Sequence, residues 1–276
     1  VKLDAHQHFW HYGPEYAWIS DEMSCLKRDF LPEDLACEQS PLGFGGSVAV
    51  QARQSLAETE WLLHLAEANA RIAGVVGWVD LCSEALPAQL NRYAPHAKLC
   101  GVRHVVQDEP DDAFLLRDDF RRGIGRLREH GLTYDLLIYP RHLAAACDLV
   151  AQLPEQPFVL DHLAKPFIKD GTLEPWAREL RRLAAFPNVH CKLSGLVTEA
   201  EWQGWRQEDF APYLEVALEA FGPARLMIGS DWPVCTVAAS YAQAIGVVTD
   251  SISALSDHEQ RLILGESARQ FYGVRA

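Results

Sequence analysis

Two periods alternate along this chain. Short apolar, often β-branched runs recur from one end to the other, and within each run every second side chain shares a face. They fall at Lys2–His8, Gly46–Ala52, Ile72–Asp80, Leu99–Gln107, Thr133–Tyr139, Pro157–His162, Asn188–Ser194 and Arg225–Asp231. Between them, apolar residues sit three and four apart, the spacing of one face of a helix. Leu56, Trp61, Leu62, Leu65 and Ala66 mark the clearest such stretch, Ser55–Ala70. Others are Ser83–Tyr93, Ala113–His130, Arg141–Leu153, Thr172–Phe186, Glu208–Phe221 and Ala238–Ala254. A last helix is expected over Ser256–Tyr272, with Asp257 near its start and Gly273 after its end.

Strand and helix in strict alternation imply right-handed βαβ units and a parallel sheet. Eight strands without a composition break favour a closed barrel. The expected fold class is therefore α/β, a (β/α)8 TIM barrel, as a single domain over residues 1–276. No Gly-rich dinucleotide fingerprint follows a strand: Gly43-Phe44-Gly45-Gly46 precedes one, which is the wrong order. The long stretch from Phe9 to about Pro41 reads as an extended first βα loop that partly covers the barrel mouth.

Composition narrows the partners. A hydrophobic content of 49% and a charged content of 23% describe an ordinary globular chain with ample core. The net charge of −13 argues against nucleic acid or an anionic membrane surface, and it mildly favours a neutral small molecule as ligand. Seven widely spread cysteines without a Cys-x-x-Cys pair read as reduced thiols. No apolar run approaches the ~20 residues needed to span a bilayer. With no secretory leader visible either, the expectation is a cytoplasmic protein without a membrane partner. A homo-oligomer is left open.

In a barrel of this kind the chemistry gathers at the C-terminal strand ends. The first carries His6 and His8, two imidazoles on one face that could hold a metal, polarise a carbonyl or move a proton. The fourth carries Arg103 and His104, the fifth Tyr139, and the sixth Asp161 and His162 followed by Lys165. The eighth ends in Gly229-Ser230-Asp231-Trp232-Pro233, where Asp231 is badly placed for packing and well placed as a base. Bland roles compete. His104 alternates with Arg103 and could be a hydrogen-bonded core histidine, and Asp161 is expected to point outward to a helix or loop donor. His190 and Lys192 lie deeper in the seventh strand, where a buried polar network is as reasonable as catalysis. Trp10, Trp18, Trp78 and Trp232 are either core or an apolar wall beside a sugar or flat ring.

Taken in order, Asp4-Ala5-His6-Gln7-His8-Phe9-Trp10, Gly101-Val102-Arg103-His104, Asp161-His162-Leu163-Ala164-Lys165-Pro166, Lys192-Leu193-Ser194-Gly195-Leu196 and Gly229–Pro233 resemble the amidohydrolase superfamily of (β/α)8 hydrolases. Within it, the chain is similar to the lactonase branch of amidohydrolase-2-type proteins, and the resemblance spans nearly its whole length. That resemblance implies hydrolysis of sugar-acid lactones such as fuconolactone or rhamnonolactone, or of a pyrone dicarboxylate lactone. There are departures. Metal-dependent members supply a further His from strand five, and two-metal members a bridging Lys or Glu. Here strand five ends in Tyr139 and strand four offers Arg103, whose guanidinium stays protonated. If a metal is bound, His6, His8 and Asp231 are the expected ligands, with His162 beside them, and a single zinc is the most suitable ion. The lactonase branch leans toward no required cofactor.

The implied chemistry is ring opening of an ester by Asp231-activated water. His6, His8 and His162 would polarise the carbonyl, while Arg103, Tyr139, Lys165, Trp232 and Trp10 would hold the substrate. The competing reading keeps the barrel and makes it a metal-dependent amide hydrolase or decarboxylase. A third makes it a non-catalytic sugar-binding barrel.

Overall fold

The computed structural model describes residues 1–274. All eight expected strands are present: β1 (Lys2–Gln7), β2 (Phe44–Val50), β3 (Ile72–Gly77), β4 (Leu99–His104), β5 (Thr133–Leu136), β6 (Phe158–Leu160), β7 (Val189–Leu193) and β8 (Leu226–Ile228). They form one parallel sheet in chain order. β8 returns to β1 through a parallel bridge between Gln7 and Trp232, with His8 N donating to Trp232 O at 2.7 Å and Asp231 N to His6 O at 2.8 Å. The barrel is thereby closed at the C-terminal rim of its strands.

Among the described residues ten α-helices accompany the sheet: α1 (Pro32–Gln39), α2 (Leu56–Ala68), α3 (Leu86–Tyr93), α4 (Asp118–Leu127), α5 (Leu143–Gln152), α6 (Trp176–Ala184), α7 (Gln207–Phe221), α8 (Tyr241–Ser251), α9 (Asp257–Arg261) and α10 (Ser267–Tyr272). Three of these findings differ from expectation. The extended first loop contains α1, which starts with Pro32 at the position where a missing N–H costs nothing. The stretch Ala113–His130 splits into a 3-10 turn, α4 and a second 3-10 turn. The final helix breaks at a π turn, Leu262–Glu266. Gly273, with φ +64°, ends α10.

Strands covered on both faces must be apolar on both. Inside the barrel Leu3, Ala5, Val48, Val76, Val159 and Met227 meet Tyr272 of α10, which enters from the bottom. A second, larger apolar layer lies between the strands and the outer helices. Among the described residues no helix is long and apolar enough to cross a membrane.

Candidate active site

β1 does not alternate simply. Its pairing with β2 shifts register between Asp4 and Gln7, so Ala5 faces the barrel core and His6, the next residue, faces it too. Asp4, turned outward and fully buried, anchors this departure. Its Oδ1 accepts from His6 N at 3.1 Å and Ser230 N at 2.9 Å, and its Oδ2 accepts from Ser230 Oγ at 2.6 Å and Tyr241 OH at 3.2 Å. Burial pushes the Asp4 carboxyl up to about 6 despite these donors. Asp4 thus ties β1 to β8 directly behind His6 and Asp231. Gly229 lets the two strands approach, since a Cβ there would lie 2.7 Å from His6 Cβ.

A second irregularity follows β6. Residues His162, Leu163, Ala164 and Lys165 all have φ between +54° and +58°, a left-handed turn without a glycine. Each such residue costs about 1–2 kcal/mol against the right-handed form. The turn is held by burial of Leu163 and Ala164 and by Trp176 Nε1 donating to Leu163 O at 2.7 Å. His162 Nδ1 contacts Ser194 Oγ at 2.9 Å. Gly195, with φ +63°, leaves room for the imidazole, since a Cβ there would lie 2.5 Å from His162 Nδ1.

These devices bring His6, His8, His162 and Asp231 together. Asp231 Oδ1 lies 3.3 Å from His8 Nε2, 3.7 Å from His6 Nε2 and 3.9 Å from His162 Nε2. Burial opposes an ionised Asp231, but the three imidazoles outweigh it and hold the carboxyl well below its ordinary value. Burial lowers His162 to about 4, so it is neutral near pH 7. His8 Nδ1 sits 2.8 Å from Val50 O, which can only accept, so Nδ1 carries a proton and Nε2 faces Asp231 and His6.

Beneath lies a buried charged layer. Lys192 Nζ makes three contacts: Asp135 Oδ2 at 2.6 Å, Asp161 Oδ1 at 3.0 Å and His6 Nδ1 at 3.1 Å. Lys192 can only donate, and so can Arg103, whose NH1 lies 3.3 Å from His6 Nε2, so a cation stands against each nitrogen of the His6 ring, and Nε2 is also 3.2 Å from His8 Nε2. Burial and the Lys192 charge together hold His6 well below its ordinary value. Arg103 NH1 donates to Asp161 Oδ2 at 3.0 Å, and its NH2 donates to Gln51 O at 2.6 Å. Tyr272 OH closes the layer from below, donating to Asp135 Oδ2 at 2.7 Å.

Asp161 therefore points into the barrel rather than outward: it shares the inward face of Val159, two residues earlier, and pairs with Arg103 and Lys192. His104 does face the helices, with Nε2 2.7 Å from Glu109 and its ring stacked on Phe114. His190, at the barrel bottom, packs on Phe271. Trp10 and Trp232 are not cavity walls. Both are buried beneath the first loop, Trp10 against Tyr16, Trp18 and Phe30, and Trp232 against Phe9 and Phe30. Trp18, half-exposed, takes the wall position instead.

The cavity above has a volume of about 750 Å³. Arg103, Tyr139 and Lys165 line it together with His8, His162 and Asp231. Glu199, at the end of a 3-10 turn after β7, also lines it and was not anticipated from the sequence, because no period marks an irregular loop.

His6, His8 and Asp231 could hold one divalent ion. Bonds of about 2.0–2.1 Å in a tetrahedron place ligand atoms roughly 3.3 Å apart, close to the separations found here. To act as a ligand, His6 would carry its proton on Nδ1, against Asp161 Oδ1 at 3.4 Å, in place of the contact with Lys192. Arg103 NH1 also lies 3.3 Å from His6 Nε2, a positive charge beside the same atom. The donor set fits a zinc ion; the two neighbouring cations oppose it.

The profile of one protein family, described as amidohydrolase, matches residues 3–274. L-fucono-1,5-lactonase of Burkholderia multivorans is 43% identical over 99% of this chain and 96% of its own length. L-fucono-1,5-lactonase of Burkholderia ambifaria is 38% identical over 87% and 83% respectively. A crystal structure of an amidohydrolase from Burkholderia multivorans with bound zinc superposes with a TM-score of 0.96 at 43% identity, covering 100% of both chains.

Proposed function

We propose, for a chain that belongs to the amidohydrolase family over residues 3–274, that it is a lactonase opening the ester ring of a sugar-acid lactone of the L-fucono-1,5-lactone type. One observation carries the reading. An ionised, buried Asp231 stands among three imidazoles on the floor of a cavity large enough for a sugar ring.

Ester hydrolysis needs an activated water on one side of the carbonyl and a stabilised oxygen on the other. Asp231 takes a proton from water as the water oxygen bonds to the carbonyl carbon. His8, whose Nε2 lies 3.3 Å from Asp231 Oδ1, shares that proton, while its Nδ1 proton is committed to Val50. His8 is thus better suited to proton sharing than to polarising the carbonyl. His6 and His162 polarise the carbonyl as oxyanion charge develops, while Arg103, Tyr139 and Lys165 orient the substrate. When the intermediate collapses, the ring C–O bond breaks and the leaving alkoxide takes the proton back from Asp231. The product is an open-chain hydroxy acid, which ionises to its carboxylate.

A divalent ion on His6, His8 and Asp231 would supply Lewis-acid polarisation of the carbonyl. We infer that it is not required, because Arg103 and Lys192 already place two positive charges against His6. A panel of aldonolactones, assayed with and without chelator on metal-analysed enzyme, tests both parts. Turnover that survives chelation and falls by about a thousandfold or more in Asp231→Asn is the expected result. Undiminished activity in that variant overturns the base assignment, and loss of activity on chelation overturns the metal-free reading.

A further inference from the structure

The cavity wall beside Asp231 holds an ion pair whose acidic member, Glu199, the hydrolytic steps leave unused. Lys165 ends the strained left-handed turn that also delivers His162, so both side chains reach the same side of the cavity. Across from it, Glu199 is carried by the turn Val197–Glu199, and its backbone carbonyl is fixed by Lys169 N at 2.9 Å. The two side chains are about four-fifths buried, yet Lys165 Nζ and Glu199 Oε1 stand 3.8 Å apart, beyond a direct hydrogen bond. Tyr139 lies under the ammonium, its ring centre 5.6 Å from Nζ. Burial raises the Glu199 carboxyl, Lys165 offsets this, and the charge of Asp231, which lines the same cavity, adds to it.

A fixed donor and a fixed acceptor, close but not satisfied by one another, suit a ligand group that both accepts and donates. A hydroxyl does this, and two adjacent hydroxyls do it at both ends. A carboxylate does not: it would accept from Lys165 but be repelled by Glu199.

We propose that Lys165 and Glu199 form the specificity subsite for the vicinal hydroxyls next to the lactone carbonyl, selecting polyhydroxylated neutral lactones over deoxy or carboxylated ones. This rests on the lactonase reading above. Lys165 donates to one hydroxyl oxygen, Glu199 accepts a hydroxyl proton, and the substrate carbonyl is thereby set over Asp231. The remaining wall agrees in charge, with four carboxylate side chains against two cationic ones around the cavity.

The test uses the intact enzyme and three lactones of one ring size: an aldonolactone, its 2,3-dideoxy analogue and a lactone bearing a carboxylate. Glu199→Gln and Lys165→Met should each raise KM for the aldonolactone by roughly 10- to 100-fold, the loss expected for a hydrogen bond to a charged group. KM for the dideoxy lactone should move less than about twofold, since it makes neither contact. Glu199→Gln should also improve relative use of the carboxylated lactone. Glu199→Asp is run alongside and should recover part of the discrimination, so a folding failure in one variant leaves the others decisive. Equal KM changes for the aldonolactone and its dideoxy analogue would overturn the subsite while leaving the lactonase standing. No turnover of any lactone by the parent enzyme would overturn both.

Discussion

Lys192 is a lysine with no exposure, held by two aspartates and an imidazole inside the barrel. Replacing it with methionine keeps much of the volume and removes the charge. Asp161 then still has Arg103 at 3.0 Å, but Asp135 keeps only Tyr272 OH, and its Oδ1 has no partner. Leaving one buried charge uncompensated costs about 3–5 kcal/mol. For a chain of this size each kcal/mol lowers the melting temperature by about 2–4 °C, so a fall of roughly 6–20 °C is expected. The loss must depend on pH in one direction. Asp135 is pushed up to about 6 by burial, even with Lys192 beside it. Without Lys192 its native-state value rises further above the unfolded one, so the native state binds the extra proton and gains stability as pH falls. The gap between parent and variant should therefore narrow from pH 8 to pH 5, and Lys192→Met/Asp135→Asn should recover at least half of it. Reversible denaturant unfolding across that range measures each quantity. A penalty under about 1 kcal/mol, or one that widens in acid, would refute the assignment of Lys192 as the counter-charge of Asp135.

Other outcomes follow from the same contacts. Gly195→Ala places a methyl 2.5 Å from His162 Nδ1 at a φ of +63°, so it should displace the imidazole and cut kcat/KM by about 10- to 100-fold, measured by steady-state kinetics. Asp4→Asn puts an NH₂ where all four contacts are donors, costing about 1–3 kcal/mol and lowering kcat more than it raises KM; thermal unfolding and kinetics on one preparation check both. His190 is lowered from 6.5 to about 4 by burial and by Arg225, so the unfolded state binds its proton first. Its neutral form stabilises the protein above pH 6.5, and this is lost as pH falls toward 4, by up to about 3 kcal/mol. His190→Gln should flatten the stability curve over that window, as read by denaturant unfolding.

Much of the architecture was legible because period 2 and period 3.6 differ so plainly. The strand ends were read too long, since residues such as Trp78–Asp80 leave the ladder to build the rim. α1 went unread inside the first loop although Pro32, Glu33 and Asp34 form an ordinary helix start. Asp161 was misdirected for a physical reason. Alternation from Val159 puts it inward, and His162, its neighbour, reaches the cavity only because the chain turns left-handed there. Nothing in Asp161-His162-Leu163-Ala164-Lys165 announces that turn, as it holds neither glycine nor asparagine. Trp10 and Trp232 failed as wall residues because a residue beside a strand end is at the cavity only if the loop above leaves it uncovered, and here Phe30 folds back onto both.

The two irregular places share one cause. A strand that alternates perfectly sends only every second side chain into the barrel, so its last two residues cannot both reach the centre. A site that needs His6 above Lys192, and Asp161 below His162, must break alternation twice. The chain does so with a register shift in β1 and a left-handed turn after β6. Each break lies against a rigid partner that is itself buried, Asp4 for the first and Trp176 with Gly195 for the second. Such strain persists only where the surroundings over-determine it. The positions that defeat a periodic reading are consequently those at which this barrel concentrates its charge, and substitutions at the partners should damage the site as surely as substitutions within it.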